Sequence, residues 1–306
     1  MRILVAGGSG FIGTNLTAEL VDRGHEVTVL SRSPESDDLP DGVSTAMGDA
    51  TAYDSIADSV AGHDVVVNLV SLSPLFQPSG DRSHEDVHLG GTENLVRAAE
   101  EGDVPRFVQM SGLGVDPNGP TEFLRAKGKA EEVVRESDRA WTIFRPSVVF
   151  GDGAEFIEFT KLVTTPYVTG LPAGGETRFQ PIWVGDLVPM LADALEDDEH
   201  VGETYELGGP DVLSLADVTE LAYEAEGKSV AIVPVPMPLA KLGLTVAGPI
   251  PFVPFGPDQA RSLKVDNVVS RNDIAAFGRS ESDLKTLREY LGLETRATSD
   301  PPRETA

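Results

Sequence analysis

The chain has 306 residues, 40% of them hydrophobic, with 24 basic against 50 acidic residues and a net charge of −26. That length supports one large domain, or one domain plus a small lobe, and a field of that sign repels nucleic acid. There are no cysteines, which excludes disulfides, thiolate metal sites and cysteine nucleophiles.

The first element is strand Arg2–Ala6, which runs straight into Gly7-Gly-Ser-Gly-Phe-Ile-Gly13. Three glycines stand at spacing three, and Leu16, Leu20 and Val21 follow at helical spacing. A strand, a tight turn and a helix whose N-terminus faces the turn form a pyrophosphate site. Glycine lets the chain bend, lets backbone N–H groups approach the anion and lets helix pack on strand. Ser9, Phe11 and Ile12 fall within this turn and are expected to touch the nucleotide.

Residues 26–30 read as the second strand, after the turn at Gly24. NAD enzymes place a carboxylate at the end of this strand for the ribose 2′-hydroxyl. Here the residues are Leu30-Ser31-Arg32-Ser33. Arg32 offers a charge-assisted pair to a 2′-phosphate and Ser31 a hydrogen bond, so the expected cofactor is NADP(H), with NAD(H) as the alternative. Residues 43–47 form a short third strand. Asp49, beside Ala50, either accepts from an adenine amino group or caps the next helix. The fourth strand, 64–70, is nearly all apolar, as a strand buried on both faces should be. It ends at Leu69, Val70 and Ser71, beside the switch-point crevice.

A helix is expected from about 83 to 101, then strand Arg106–Met110, a helix over 123–137 and a sixth strand over 141–144. Alternating strand and helix signals indicate βαβ units on a parallel sheet. The fold class is therefore α/β: a doubly wound Rossmann sheet with a smaller C-terminal α/β lobe. We divide the chain into a dinucleotide-binding domain (1–150), a lobe interleaved with it (151–294) and a flexible tail (295–306). In the lobe, Asp186 reads as the N-cap of a helix running to about Leu195. Ser214 and Asp217 start another helix in a capping box, ended by Gly227. Residues 282–291 read as a short helix. Residues 229–255 are apolar, Pro-rich and carry a single charge, Lys241. They read as lobe packing, with a protein or membrane-assembly contact as the alternative.

The chain resembles an extended short-chain dehydrogenase/reductase of the atypical type. It is most similar to the nucleotide-binding accessory subunit of respiratory complex I and its prokaryotic relatives. The resemblance rests on the glycine turn, Gly90-Gly-Thr-Glu-Asn-Leu95, Arg106-Phe-Val-Gln-Met-Ser-Gly-Leu-Gly114, Arg145-Pro-Ser-Val-Val-Phe-Gly151 and Asp258-Gln-Ala-Arg-Ser-Leu-Lys-Val-Asp-Asn267. The superfamily's active site is Tyr-x-x-x-Lys plus a serine. The matching stretch is Phe123-Leu-Arg-Ala-Lys127, which keeps the lysine and lacks the phenol. The resemblance implies that Lys127 holds the nicotinamide ribose and that Ser111 packs near the nicotinamide. It also implies that Pro146 and Val148 lie in a turn giving backbone contacts to the nicotinamide amide. Leu113 stands where the catalytic serine would fall. His88 or Asp186 are candidate substitutes for the tyrosine, although His88 reads better as helix packing. His25, His63, His84 and His200 read as scattered surface residues, with no metal site.

Three roles follow. One is an NADP(H)-binding protein in a structural, sensing or weakly redox role. Another is an active NADP-dependent oxidoreductase, or an enzyme like the nucleotide-sugar epimerases and dehydratases, with a small-molecule substrate. The third is an accessory subunit of a quinone-linked respiratory assembly. The acid is dispersed, as at 35–41, 196–200 and 220–226, which resembles proteins of halophilic organisms. No apolar run reaches the roughly 18 residues a spanning helix needs. The expected location is cytoplasmic, or peripheral to the inner face of the cell membrane, with no signal peptide.

Overall fold

The computed structural model describes residues 1–34, 39–76, 81–236, 261–262 and 265–293. The expected flexible tail and most of the apolar 229–255 segment lie outside the described residues. Strands β1 (Arg2–Ala6), β2 (Glu26–Ser31), β3 (Ser44–Met47), β4 (Val65–Asn68), β5 (Arg106–Met110) and β6 (Ala140–Pro146) join β11 (Glu203–Leu207) in one sheet. Its order is β3-β2-β1-β4-β5-β6-β11, and every neighbouring pair is parallel. The strand order reverses between β1 and β4, which opens the crevice where nucleotides lie in doubly wound sheets.

Alternate residues of the central strands feed opposite cores. Ile3, Val5, Val65 and Val67 pack with Leu16 and Leu20 of helix α1 (Phe11–Asp22) and with residues 187–195 of helix α6 (Val184–Glu196). Leu4, Ala6 and Val66 pack with Val60 of α2 (Ala57–Val60), Leu95 and Ala99 of α3 (Gly91–Glu101) and Val134 of α4 (Glu122–Glu136). A period-2 strand covered on both faces must be apolar at every position, and β4 is buried throughout.

The lobe contributes short pairs. Strand β7 (Val149–Phe150) lies parallel to β10 (Ile182–Trp183), β8 (Tyr167–Pro172) parallel to β13 (Val230–Val235), and β9 (Arg178–Phe179) antiparallel to β12 (Leu213–Ser214). Phe150 packs with Phe156 of α5 (Glu155–Val163), Val218 and Leu221 of α7 (Leu215–Glu224) and Leu287 of α8 (Leu287–Tyr290). The Ser214–Asp217 capping box is formed as expected.

Several expectations give way. The helix expected over 83–101 opens with a π-helical turn, Glu85–Gly90, and becomes α-helical only at Gly91. Glycines at 90 and 91 leave the backbone free to change its winding there. The helix expected over 282–291 is a 3₁₀ turn, Glu281–Asp283, followed by α8, because separate capping boxes at Ser280 and Thr286 start two short turns. Asp186 is not the N-cap of α6. Trp183 is, and the Asp186 carboxylate accepts the Lys285 amide at 2.8 Å. His84 and His200 are buried rather than at the surface. His200 stacks on Phe277 at 4.7 Å and bonds the Tyr205 hydroxyl at 2.8 Å. Among the described residues no helix is long and apolar enough to cross a membrane.

The glycine turn is the tightest point of the fold. A Cβ on Gly13 would stand 2.4 Å from the Gly7 carbonyl oxygen and 2.6 Å from the Gly8 Cα. Gly7 has φ +82, and its amide donates to Leu30 at 2.8 Å. Backbone cannot yield as a side chain can. Gly13→Ala should therefore lower unfolding free energy by about 1–3 kcal/mol in denaturant titration; an unchanged midpoint would show that the helix tilts away without cost.

Candidate functional site

A crevice of about 500 Å³ opens at the reversal point of the sheet. Its floor is Gly7, Ser9 and Gly10 from the turn, and its walls are Ser31 and Arg32 after β2, Asp49 and Ala50 after β3, and Leu69, Val70 and Ser71 after β4. Ten of the sequence candidates thus meet in one place. They do so because the C-terminal ends of parallel strands share one sheet edge. Helix α1 points its N-terminus at the same space, with Gly10 as N-cap. The Ser31 hydroxyl is buried and makes no hydrogen bond within the protein. A Cβ on Gly7 would come within 3.0 Å of Leu69 backbone. A glycine-floored cradle with an anion-favouring helix end, a donor hydroxyl and a guanidinium fits the adenosine and pyrophosphate of a dinucleotide.

Asp49 lines the crevice and does not cap the next helix. Its carboxylate accepts from the Thr51 amide at 3.1 Å and the Thr51 hydroxyl at 2.8 Å, and it pairs with the Arg82 guanidinium. The following 3₁₀ turn is capped by Ala52 instead. Burial alone would raise the Asp49 carboxyl. The bonds from Thr51 and the charges of Arg82 and Arg32 hold it below its ordinary value. Sequence reasoning missed Arg82, which also lines the crevice. It lies in a loop after β4, where no spacing rule applies.

The remaining candidates stand apart from this crevice. Phe11, Ile12 and Gly13 form the first turn of α1. Ser111 follows β5 and is buried, its amide donating to Phe144 at 2.7 Å. Lys127, in α4, is 4% exposed, and its ammonium donates to the Met110 carbonyl at 2.9 Å. Burial pushes its pKa down to about 8, against an upward pull from Glu131. Glu131 is one helical turn further on and fully buried. It accepts from Arg145 Nε and Nη2 at 2.8 and 2.6 Å and from Arg135 at 2.7 Å. Burial would raise the Glu131 carboxyl, and the two arginines hold it below its ordinary value. This carboxylate was also missed, although its spacing from Lys127 puts both on one helix face.

Phe123 occupies the position of the expected phenol and sits edge-on to His84 at 5.6 Å and to His88 at 5.2 Å. The two imidazoles stack at 5.4 Å. Burial, with the Lys127 charge adding to it, keeps the His88 pKa well below its ordinary value. The turn after β6 is committed to the fold. Pro146 accepts from the Leu113 amide, and the Val148 amide donates to Asn267 Oδ1 at 2.9 Å.

A family model described as NAD(P)H-binding matches residues 7–164. Among curated proteins, the chain is 33% identical over 293 residues to an Arabidopsis thaliana protein, covering 88% of this chain and 71% of the plant protein. That relative is NADH dehydrogenase [ubiquinone] 1 alpha subcomplex subunit 9, mitochondrial. This chain is 27% identical to an NAD(P)H azoreductase of Xenophilus azovorans over 248 residues, covering 80% of this chain and 81% of the azoreductase. A Staphylococcus aureus nucleoside-diphosphate-sugar epimerase superposes with a TM-score of 0.72 at 20% identity, covering 95% and 99% of the two chains. That last likeness concerns the fold alone.

The buried lysine has a measurable linkage. Its native pKa of about 8 lies below the model-peptide 10.5. Below the lower value the lysine is charged in both states, and the full burial penalty applies. Between the two values the unfolded state binds more protons, so stability rises with pH. The stability advantage of Lys127→Met over wild type should shrink by roughly 3 kcal/mol as pH climbs through that window. Denaturant titrations of nucleotide-free protein at several pH values measure it, and a constant difference would show that the ammonium is not desolvated.

Proposed function

The chain belongs to the NAD(P)H-binding family of atypical short-chain dehydrogenases/reductases, and from that membership we propose that it holds NADP(H) in a structural, sensing or weakly redox role. The carrying observation is a dinucleotide crevice in a chain whose acid–base position is occupied by Phe123. NADP(H) supplies hydride chemistry when bound. The glycine turn and the α1 N-terminus hold its pyrophosphate, Arg32 and Ser31 its 2′-phosphate, and Lys127 its nicotinamide-side ribose. Phe123 has no proton to exchange, and Leu113 has no hydroxyl to orient a substrate oxygen. A general acid contributes typically about 10²–10⁴-fold to such a step.

A second reading, accessory subunit of a quinone-linked respiratory assembly, is favoured by the similarity to the plant NADH dehydrogenase subunit. It is compatible with the first, since a nucleotide held without turnover serves an assembly as well as a free protein.

Two results bear on the first reading. Arg32→Ala should weaken NADPH binding by roughly 1.5–3 kcal/mol, as loss of a charged hydrogen bond does, and leave NADH nearly unaffected. Fluorescence titration reads both, and equal losses would remove the 2′-phosphate role. Wild-type protein given NADPH with carbonyl and quinone substrates should turn over slowly, while Lys127→Ala weakens nucleotide binding. Steady oxidation above about 1 s⁻¹, within the ordinary enzyme range, would show that another residue moves the proton.

A further inference from the structure

A second cavity, of about 740 Å³, is lined in part by Gly151, Asp152 and Gly153, in a loop that approaches the Phe11 ring. A Cβ on Gly151 would stand 3.3 Å from Phe11 Cζ, and one on Gly153 would stand 3.8 Å from the same ring. The cavity is bounded by Phe76, in the loop beyond β4, by the loop after β7 and by α5.

Its lining has two characters. Phe76, Ile157, Phe159 and Leu162 make an apolar wall, with Phe76 and Phe159 edge-to-face at 5.4 Å. Leu162 is 61% exposed at α5, a large aliphatic side chain left toward water. The polar groups are carboxylates: Asp152, Glu155 and Glu158. The Tyr290 hydroxyl donates to Asp152 at 2.6 Å, and burial with that carboxylate pushes the phenol up to about 12. The described lining residues include no lysine or arginine.

From this lining we infer that the cavity takes an uncharged, ring-bearing apolar molecule and rejects anionic nucleotide sugars. The inference rests on reading the neighbouring crevice as the nucleotide site. A diphosphate needs cations or a free helix end, and although the α5 N-terminus at Ala154 borders this cavity, its own first turn carries Glu155 and Glu158, which offset the dipole there. Here it would also face the carboxylates of Asp152, Glu155 and Glu158, whose like charge opposes it more strongly at a protein surface than in water. A neutral ring system meets no such opposition and gains from the aromatic wall by area and edge contacts. Nucleotide-sugar epimerase chemistry is thereby separated from this chain, although the fold is shared. The cavity serves a neutral apolar ligand whether that ligand is turned over or only held beside the nucleotide.

The test is binding by calorimetry to the full chain, with and without saturating NADP⁺. The probes are menadione, a neutral two-ring diketone, and UDP-glucose. Menadione should bind saturably and UDP-glucose should not. Leu162→Asp, a change at an exposed position, should weaken menadione about tenfold, equivalent to about 1.4 kcal/mol, and leave NADP⁺ affinity unchanged. Glu155→Lys should give UDP-glucose a measurable affinity. No menadione binding, menadione binding indifferent to Leu162→Asp, or tighter wild-type binding of UDP-glucose than of menadione would each overturn the assignment. If menadione behaves as expected and NADP⁺ does not bind, the nucleotide reading fails and the cavity assignment stands.

Discussion

The contact between the first turn of α1 and the backbone of Gly7 and Gly8 governs the rest of the site. A single added carbon at Gly13 would overlap a carbonyl oxygen at 2.4 Å. Helix and strand therefore meet backbone to backbone, and the helix N-terminus is held at the sheet edge rather than beyond it. From that follow the aim of the helix dipole into the crevice, the nearness of Leu69 and Val70, and the packing of the Phe11 ring against the loop at Gly151. None of these needs a charged side chain. The anion-favouring character of the floor is a property of backbone geometry, which a chain with net charge −26 would not acquire from its composition.

A second constraint lies behind the crevice. Glu131 is buried with two guanidinium partners, next to a lysine that burial disfavours in its charged form. Buried ion pairs of this kind seldom add net stability over apolar packing, but breaking one leaves a charge without compensation. Their effect here is to fix register. Arg145 comes from β6 and Glu131 from α4, so the group locks helix to strand. Lys127 is thereby carried to the end of β5, where it meets Met110. The lysine's placement is thus set by a carboxylate one turn away.

The first half of the fold was legible because each element there carries its own local signal. Glycines at spacing three, an all-apolar β4 and alternating strand and helix periods need no distant partner to be read. What escaped depends on partners far along the chain. β11, with the sequence Glu203-Thr-Tyr-Glu-Leu207, completes the sheet beside β6, but the lobe segments between β6 and α6 stretch that βαβ unit beyond the short spacing that marks the earlier ones. Asp186 looked like a cap because its true partner, the Lys285 amide, is 99 positions away. His84 and His200 looked superficial because isolated histidines usually are; each is buried by rings contributed from other elements. Arg82 and Glu131 escaped for the same reason, since their meaning lies in Asp49 and Arg145.

Asn267 gives these long-range ties a temporal dimension. Its side-chain oxygen accepts from Ser147 at 2.7 Å and from the Val148 amide, and its backbone joins Arg178 and Gln180. The turn after β6 is therefore finished by a residue 120 positions later. On a ribosome adding about 5–20 residues per second, that separation is on the order of ten seconds. For about the first half of it β6 is a bare edge, until β11 (Glu203–Leu207) follows and pairs with it, and α6 must emerge before the second face of the sheet is covered. An unpaired parallel edge is a template for other strands. The dense, dispersed negative charge repels neighbouring nascent chains during that interval. The acidity then serves the growing polypeptide as much as the finished one, by keeping half-built sheets from finding each other.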